Sequence, residues 1–347
     1  MTAALGTSAS AISGPALSGL IAAAVQVVVV VAGGPLLIGV MRQARARLEG
    51  RAGAGVAQPW RDLRKLLRRA PASPTGTGWA FRVAPLLLMG TSLVLAAIVP
   101  LLTTASPLDP TADLFAVVGL LALGTVTLAL AAIDTGTAFG GMGASRELTV
   151  LALVEPTILV SIFALSARVG STNLAAIVTA TLHDPLRVAS PASLLAAAAL
   201  LIVVVAETGR LPVDNPATHL ELTMIHEAMV LEYAGRDLAL IEWASSIRLT
   251  VLLGLLASLF APWGIAGPDA GPAALAVALL AFPAKVTVLA AGLGAAEVFL
   301  AKVALLGAGV ATAEVFIAKL RLFRVPELLA GSFVLALLAV ASSFFLA

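Results

Sequence analysis

Long apolar runs separated by short polar connections dominate this chain of 347 residues. A helix needs about 20 apolar residues to cross the roughly 30 Å hydrocarbon core of a bilayer. The predicted spans are 17–41, 83–104, 113–133, 149–168, 192–207, 238–261, 272–318 and 328–346. The pattern therefore predicts an all-α, polytopic transmembrane protein of about 8 spans that forms one integral membrane domain over residues 1–347. Composition agrees, because 60% of the residues are hydrophobic and only 12% are charged, which is too little polar surface for a water-soluble fold.

The basic residues give the expected orientation of these spans. The connection 42–82 holds ten Lys or Arg residues, so the positive-inside rule places it in the cytoplasm. Alternate connections contain Arg146, then Arg210, then Lys319, whereas those between them at 105–112 and 262–271 lack Lys and Arg; only 169–191 is mixed. We therefore expect both termini to lie outside.

The seventh apolar run is too long for one span. It contains a tandem repeat with a 17-residue period, in which residues 285–302 are matched by 302–319. As one helix the run of about 45 residues would measure about 67 Å. We expect one crossing plus a protruding, broken or re-entrant half-helix, with breaks at Pro283, Gly292 and Gly294. A duplication without function is the alternative.

The first basic connection contains the motif QPWRDLRKLL, in which leucines recur at helical spacing opposite basic residues. This pattern predicts an amphipathic helix at the membrane interface, suited to docking a partner subunit. The docking residues would be Trp60, Arg61, Arg64 and Lys65. A basic loop that only sets topology is the alternative.

The next polar connection, FGGMGASRE, has three glycines that favour a flexible backbone before Arg146 and Glu147 open the following span. Glu155 lies inside that span, directly before Pro156, which cannot donate a backbone hydrogen bond. A carboxylate beside such a helix irregularity is a candidate proton-relay group. The alternative is a structural partner for an arginine on a neighbouring helix.

The densest polar segment, residues 207–233, follows the fifth predicted span. It contains the carboxylates and histidines Glu207, Asp214, His219, Glu221, His226 and Glu227. Charge at membrane depth is costly, so it usually persists for a function. The spacing matches no metal motif, and without cysteine this chain cannot supply thiolates to an iron–sulfur cluster. Proton transfer fits the cluster better, since carboxyl pKa values rise toward neutral in dehydrated sites.

Two further motifs follow these along the chain, ETGRLPVDNPATHLELTMIHEAMVLEY and AKLRLFRVPE. Together, and in this order, the motifs resemble the complex I subunit 1 family. The resemblance is to its branch in membrane-bound [NiFe]-hydrogenases, the formate hydrogenlyase subunit 4 and hydrogenase-4 component C type. The chain lacks the GPNRxGP motif of the respiratory branch at Gly50–Pro59, and it lacks acids at Ala217 and His219. Those differences weaken the features of a quinone chamber.

The resemblance implies a non-catalytic coupling subunit in a prokaryotic plasma membrane, linking a cytoplasmic redox arm to proton or sodium translocation. The resemblance implies a proton path through acidic and basic side chains of this chain: Glu147, Glu155, Glu207, Asp214, Glu221, Lys302 and Glu314. Arg146 and Arg210 would be its charge partners.

The resemblance also implies partners and cofactors. The expected partners are the hydrogenase large and small subunits, an iron–sulfur subunit, antiporter-like membrane subunits and the lipid bilayer, with a quinone as a further candidate and no nucleic acid. No cofactor or metal is expected in this chain, and the [NiFe] centre and iron–sulfur clusters are expected in partner subunits. Two alternatives remain open at this point: a quinone-site subunit of an NADH:quinone oxidoreductase-like complex, and a free-standing ion transporter.

Overall fold

The computed structural model describes residues 14–184, 188, 190–210, 213–214, 224–267, 271–310 and 324–345. Across these ranges the chain is helical and contains no β-strand, with one short 3-10 helix at Asp109–Thr111. The helices are α1 (Gly14–Leu48), α2 (Gln58–Leu67), α3 (Trp79–Ile98), α4 (Leu114–Asp134), α5 (Ala138–Val169), α6 (Leu174–His183), α7 (Pro191–Glu207), α8 (His226–Val230), α9 (Gly235–Phe260), α10 (Pro272–Val310) and α11 (Arg324–Phe345).

Within the described ranges, seven helices are long and apolar enough to cross a membrane: α1, α3, α4, α5, α9, α10 and α11. The all-α, multi-pass class predicted from hydropathy is confirmed. Helix α7 was counted among the eight predicted spans, but its 17 residues make it a shorter apolar helix, about 26 Å long. Its start lies beside the end of α5, because Arg168 of α5 donates to Ser190, the residue that caps α7.

Helix α9 lies at the centre of the bundle, and its second half is buried on nearly every side. It packs against α1, α3, α7 and α10, while α5 packs against α4, α7 and α11. An apolar core runs through these contacts, with fully buried residues such as Leu121, Ile158 and Leu253. Polar side chains in this interior therefore have protein, and not lipid, as their surroundings.

The bundle has two distinct ends. The α2 end consists of α2, α8 and the connections 49–78, 135–137, 208–210 and 224–234; the α6 end consists of α6 and the connections 99–113, 170–184 and 261–267. At the α6 end the connections pair with one another through short bridges, Thr103 with Ala266 and Asp113 with Asn173. The buried Gln26 of α1 holds the same end together, since its amide bonds the carbonyls of Ala96 and Val99 at 2.9 and 2.8 Å.

Two sequence expectations about backbone irregularity are wrong, the flexible segment before α5 and the broken helix α10. Residues 138–143, expected to be flexible, form the first turns of α5, which also continues through Pro156. Gly143 serves close packing: a Cβ at this position would lie 3.0 Å from Ala228 Cβ and from the Ile225 carbonyl. Tight contact with α8, and not flexibility, explains a glycine at this position.

Helix α10 is likewise unbroken. It continues through the expected break points Pro283, Gly292 and Gly294 to Val310, a length of about 58 Å for its 39 residues. Lys285 has a structural role here, because its Nζ donates to the carbonyls of Ala261 and Trp263 at 2.9 and 3.0 Å. The lysine thus ties α10 to the carboxyl end of α9, where free carbonyls attract a cation.

Candidate functional site

A buried ion pair between α7 and α9 forms the centre of the candidate site. The guanidinium of Arg248 bonds the carboxylate of Glu207, and their side chains are 11% and 3% exposed. The same Nη2 of Arg248 donates to Thr125 Oγ1 at 2.8 Å and to the Leu121 carbonyl at 3.0 Å. Thr125 in turn bonds Glu207 at 3.3 Å, so hydrogen bonds to α4 surround the pair.

The helices place this pair deep in the bundle. Arg248 is about 20 Å along α9 from Gly235, near the middle of that helix. A glycine on α4 makes room for it, since a Cβ at Gly124 would lie 3.0 Å from Arg248 Nη1. Glu207 reaches the same depth because it is the last residue of the short helix α7. The two charges neutralise each other in an environment where each alone is expensive.

Two further carboxylates of α5 lie within electrostatic range of this pair. Glu147 interacts with Glu207, Arg248 and Asp214, and Glu155 interacts with Glu207. The Oε1 atom of Glu155 is buried and has no hydrogen-bond partner among the described residues. Several carboxylates near one arginine cannot all be neutralised by it, so a proton or a cation is favoured in this group.

Asp214 connects this interior to the α2 end. It is 3% exposed and accepts hydrogen bonds from the backbone N–H groups of Ile225 at 3.2 Å and His226 at 3.0 Å. Burial raises the pKa of the Asp214 carboxyl, and these two bonds and the nearby His226 oppose that effect. Burial also lowers the pKa of His226. Arg146 fastens α5 to the same segment through the carbonyl of Met224 at 3.3 Å.

A second charged group lies near the α2 end between α1 and α10. Glu297, only 7% exposed, lies 3.7 Å from Arg45 and 3.8 Å from Arg210. Burial lowers the pKa of Arg210, although Glu297 counteracts the shift. The Nε atom of Arg210 is buried with no hydrogen-bond partner in the described part of the chain. Arg210 therefore pairs with Glu297. The resemblance had instead implied a charge partner for the carboxylates of the predicted path.

Helix α2 forms as its leucine spacing predicts. Leu63 is buried, whereas Arg61, Arg64 and Lys65 are exposed. Trp60 anchors the helix, because its Nε1 donates to the Ala32 carbonyl at 3.1 Å. Its ring also packs edge to face against the ring of Trp243, with the two ring centroids 5.4 Å apart. The basic face of α2 therefore points away from the bundle, and its docking role stays a prediction.

The structure brings together Glu147, Glu155, Glu207 and Asp214 of the predicted path. Glu221, Glu314 and the side chain of Lys302 lie outside what it describes. Sequence reasoning missed Arg248 and Glu297 as members of the charged groups. A lone arginine inside an apolar span was the available signal for Arg248. The described residues contain no group of three or more His, Asp or Glu side chains able to hold a metal ion.

Comparisons with known proteins agree with the family that the sequence motifs resemble. A family model described as NADH dehydrogenase matches residues 20–345. Formate hydrogenlyase subunit 4 of Escherichia coli (strain K12) is 37% identical over 240 residues, which cover 69% of this chain and 77% of that protein. Hydrogenase-4 component C of the same organism is 38% identical over 234 residues, covering 66% of this chain and 71% of the relative.

One solved structure shows the same fold at lower identity. A chain in the membrane-bound sulfane sulfur reductase, described as an archaeal respiratory membrane complex, superposes with a TM-score of 0.73 at 20% identity. The match covers 93% of this chain and 98% of that chain. With the family model spanning nearly all of the described helices, this multi-pass membrane protein belongs to the NADH dehydrogenase family, the family of complex I subunit 1.

Proposed function

We propose that the chain is the membrane anchor and coupling subunit of a membrane-bound [NiFe]-hydrogenase or formate hydrogenlyase-type complex. In this role it links a cytoplasmic redox arm to the translocation of protons or sodium ions. The two relatives carrying hydrogenase and formate hydrogenlyase names support the kind of complex. The interior carboxylates support the coupling step.

The single observation that carries the coupling role is the series of carboxylates leading inward from the α2 end. Asp214 lies in the connection after α7, Glu147 and Glu207 lie within electrostatic range of one another, and Glu155 lies further along α5. Only Arg248 among the described basic residues bonds Glu207 directly. A proton entering this series can therefore change the charge around Arg248 without a large rearrangement of the helices.

The chain itself offers electrostatics and docking surfaces to such a complex. The [NiFe] centre and iron–sulfur clusters that we expect belong to partner subunits, since this chain has no cysteine. The exposed basic face of α2 is the proposed surface for the redox arm. Antiporter-like membrane subunits are the proposed partners within the bilayer.

Purification of the tagged chain from its native membrane tests the assignment. We expect nickel and iron in stoichiometric amounts together with hydrogen evolution or uptake. Flavin with quinone reduction from NADH, and no nickel, would instead assign the chain to a quinone-site subunit. Recovery of the chain alone, with ion transport after reconstitution, would identify a free-standing transporter.

Replacement of a path carboxylate tests the coupling role. We expect Glu221→Gln to abolish ion translocation by the reconstituted complex while assembly remains intact, because the amide cannot exchange a proton at physiological pH. Translocation is measured with a pH-sensitive or sodium-sensitive dye during turnover. The control is Glu327→Gln, which removes an exposed carboxylate from the first turn of α11. Full pumping by the Glu221→Gln complex would remove Glu221 from the path.

A further inference from the structure

Two tryptophans connect α2, the proposed docking helix, to α1 and α9. Trp60 of α2 donates its indole N–H to the Ala32 carbonyl at 3.1 Å, and Trp243 of α9 donates to the Val31 carbonyl at 2.9 Å. The two indole rings pack edge to face, with their centroids 5.4 Å apart. Three helices therefore meet at two consecutive carbonyl groups of α1.

Pro35 explains why one of these carbonyls is available. Inside a helix the Val31 carbonyl would accept the N–H of residue 35, but proline has no N–H. The indole N–H of Trp243 takes the place of the missing donor. A carbonyl left unpaired in apolar surroundings is costly, so this bond stabilises α1. Trp243 thus replaces a hydrogen bond of one helix with a bond from another.

The same proline is the weak point of α1. This helix extends from Gly14 to Leu48, and Pro35 removes one of its backbone bonds while its ring crowds the preceding turn. Helices bend at such positions in preference to others. The carboxyl part of α1, residues 36–48, is therefore able to move as a unit about Pro35, as in a hinge of a few residues.

Close packing ties this part of α1 to the segment that leads into α2. A Cβ at Gly34 would lie 3.0 Å from the carbonyl oxygen of Ser246 on α9, and a Cβ at Gly39 would overlap the carbonyl oxygen of Val56. Val56 lies two residues before the start of α2. Because no space separates these groups, a displacement of α2 and of Val56 also displaces α1.

The carboxyl part of α1 carries one arginine of the second charged group. Arg45 lies ten residues after Pro35, about 15 Å further along the helix. It lies 3.7 Å from Glu297 of α10, and Arg210 lies 3.8 Å from the same carboxylate. The energy of each pair depends on its distance, so a bend of α1 changes the balance between the two arginines at Glu297.

Arg210 connects this charged group to the acidic series. It lies within electrostatic range of His226. The backbone N–H of His226 donates to Asp214 at 3.0 Å, and Asp214 begins the series at the α2 end. A change in the balance at Glu297 therefore acts on Arg210 and, through it, on the first carboxylate of the series.

We infer that Pro35 and the two tryptophans form a mechanical link through which the redox arm, bound to α2, moves Arg45 relative to Glu297. The inference rests on the proposed function, because that function supplies the arm. Docking displaces α2 and, with it, the carboxyl part of α1. The changed distance between Arg45 and Glu297 then alters the field at the start of the acidic series.

Spin labels test the link in the full chain, which has no cysteine of its own. Arg47→Cys near the end of α1 and Ala296→Cys on α10 place labels at two exposed positions, and pulsed electron paramagnetic resonance measures their distance in detergent. We expect Trp243→Phe to increase the population of a displaced α1 about fivefold, the effect of losing one hydrogen bond on an equilibrium. Pro35→Ala should instead narrow the distance distribution, because alanine restores the N–H that holds the Val31 carbonyl.

The same two substitutions test coupling in the purified complex, as ions translocated per molecule of hydrogen turned over, at equal content of the redox arm. We expect fewer ions per hydrogen in both, since α1 is too loosely held in Trp243→Phe and too stiff in Pro35→Ala. The matched control is Trp79→Phe, the same change at a tryptophan that is 76% exposed at the start of α3. Its label distances and its number of ions per hydrogen should equal those of the wild type.

Either of two results overturns the inference. One is a wild-type distance distribution in both Trp243→Phe and Pro35→Ala. The other is a wild-type number of ions per hydrogen in a variant whose distances have changed. A wild-type complex that moves no ions would contradict the proposed function itself, and the label distances would still decide whether the link exists. If Trp243→Phe does not fold, Pro35→Ala decides alone.

Discussion

At the scale of single residues, the informative side chains are charged groups inside apolar helices. Glu207 stands out in the sequence because it ends an apolar run, but Arg248, its partner, is 41 residues away on another helix. Hydropathy and spacing report on neighbours along one helix, whereas this contact depends on how two helices pack. Arg210 shows the same limit: the sequence places it near Asp214, and the structure pairs it with Glu297 of α10.

The Glu207–Arg248 pair gives a prediction at this scale. Arg248→Leu leaves the buried Glu207 carboxylate without its partner, which costs about 3–5 kcal/mol in buried pairs. We expect a clearly lower thermal unfolding midpoint in detergent. The double variant with Glu207→Leu should recover most of the loss, because two apolar side chains replace the two charges.

An exposed arginine provides the control for these single and double variants. Arg61→Leu on α2 should change the midpoint little, since Arg61 is at the surface. If the double variant is as unstable as Arg248→Leu alone, Glu207 and Arg248 do not neutralise each other's charge.

At the scale of elements, the positions of the apolar helices were predictable and their ends were not. Runs such as 113–133 and 238–261 correspond closely to α4 and α9. The span predicted at 149–168 instead begins at Ala138, where the Thr137 hydroxyl caps the helix by accepting the Gly140 N–H at 3.2 Å. Pro283 and Gly292 were expected to break α10, but the helix continues through both. In hydrocarbon the backbone has no water to bond, which favours an unbroken helix.

Gly143 supplies the prediction at this scale. Gly143→Leu places a side chain where Ala228 Cβ, the Ile225 carbonyl and Met229 Cγ already lie within 3.1 Å of a Cβ. We expect α8 to move away from α5, at a cost of about 1–3 kcal/mol. Faster proteolysis of the segment 224–234 in detergent and a lower unfolding midpoint measure the effect.

Gly141 is the matched control on the same helix, because no atom lies within 4 Å of its ideal Cβ position. Gly141→Leu should leave both proteolysis and the midpoint close to wild type. Equal sensitivity of the two variants would contradict the role of contact with α8, because leucine has the higher helix propensity at both positions.

At the scale of the whole molecule, the two ends of the bundle differ in charge. The α2 end presents exposed basic side chains, among them Arg64 and Lys65 on one helix. The α6 end presents Asp109 and Asp184 around an open cleft. The basic excess was readable from the sequence, and it gives the predicted cytoplasmic side. The cleft was not readable, because it arises from connections that are distant in sequence.

Docking of the redox arm is the prediction at this scale. Arg64→Glu with Lys65→Glu reverses the charge of the exposed face of α2 while Leu63 and Trp60 keep the helix in place. We expect less peripheral arm to co-purify with the tagged chain, and an even smaller amount at low salt, where charge repulsion is screened less.

The control makes the same change of charge elsewhere at this end. Arg47→Glu with Arg51→Glu alters two exposed arginines at and after the end of α1. If the α2 variant retains as much of the peripheral arm as this control, the basic helix does not dock the arm. Its charges would then only set the topology of the chain.

The separation of Glu207 and Arg248 along the chain also has a consequence for biogenesis. During synthesis α7 leaves the ribosome well before α9, so for an interval Glu207 is present at the membrane without its guanidinium. A single charge at the bilayer centre costs about 2.5–3.5 kcal/mol on insertion scales. We therefore expect α7, short as it is, to wait beside the translocon and to enter the lipid together with α9.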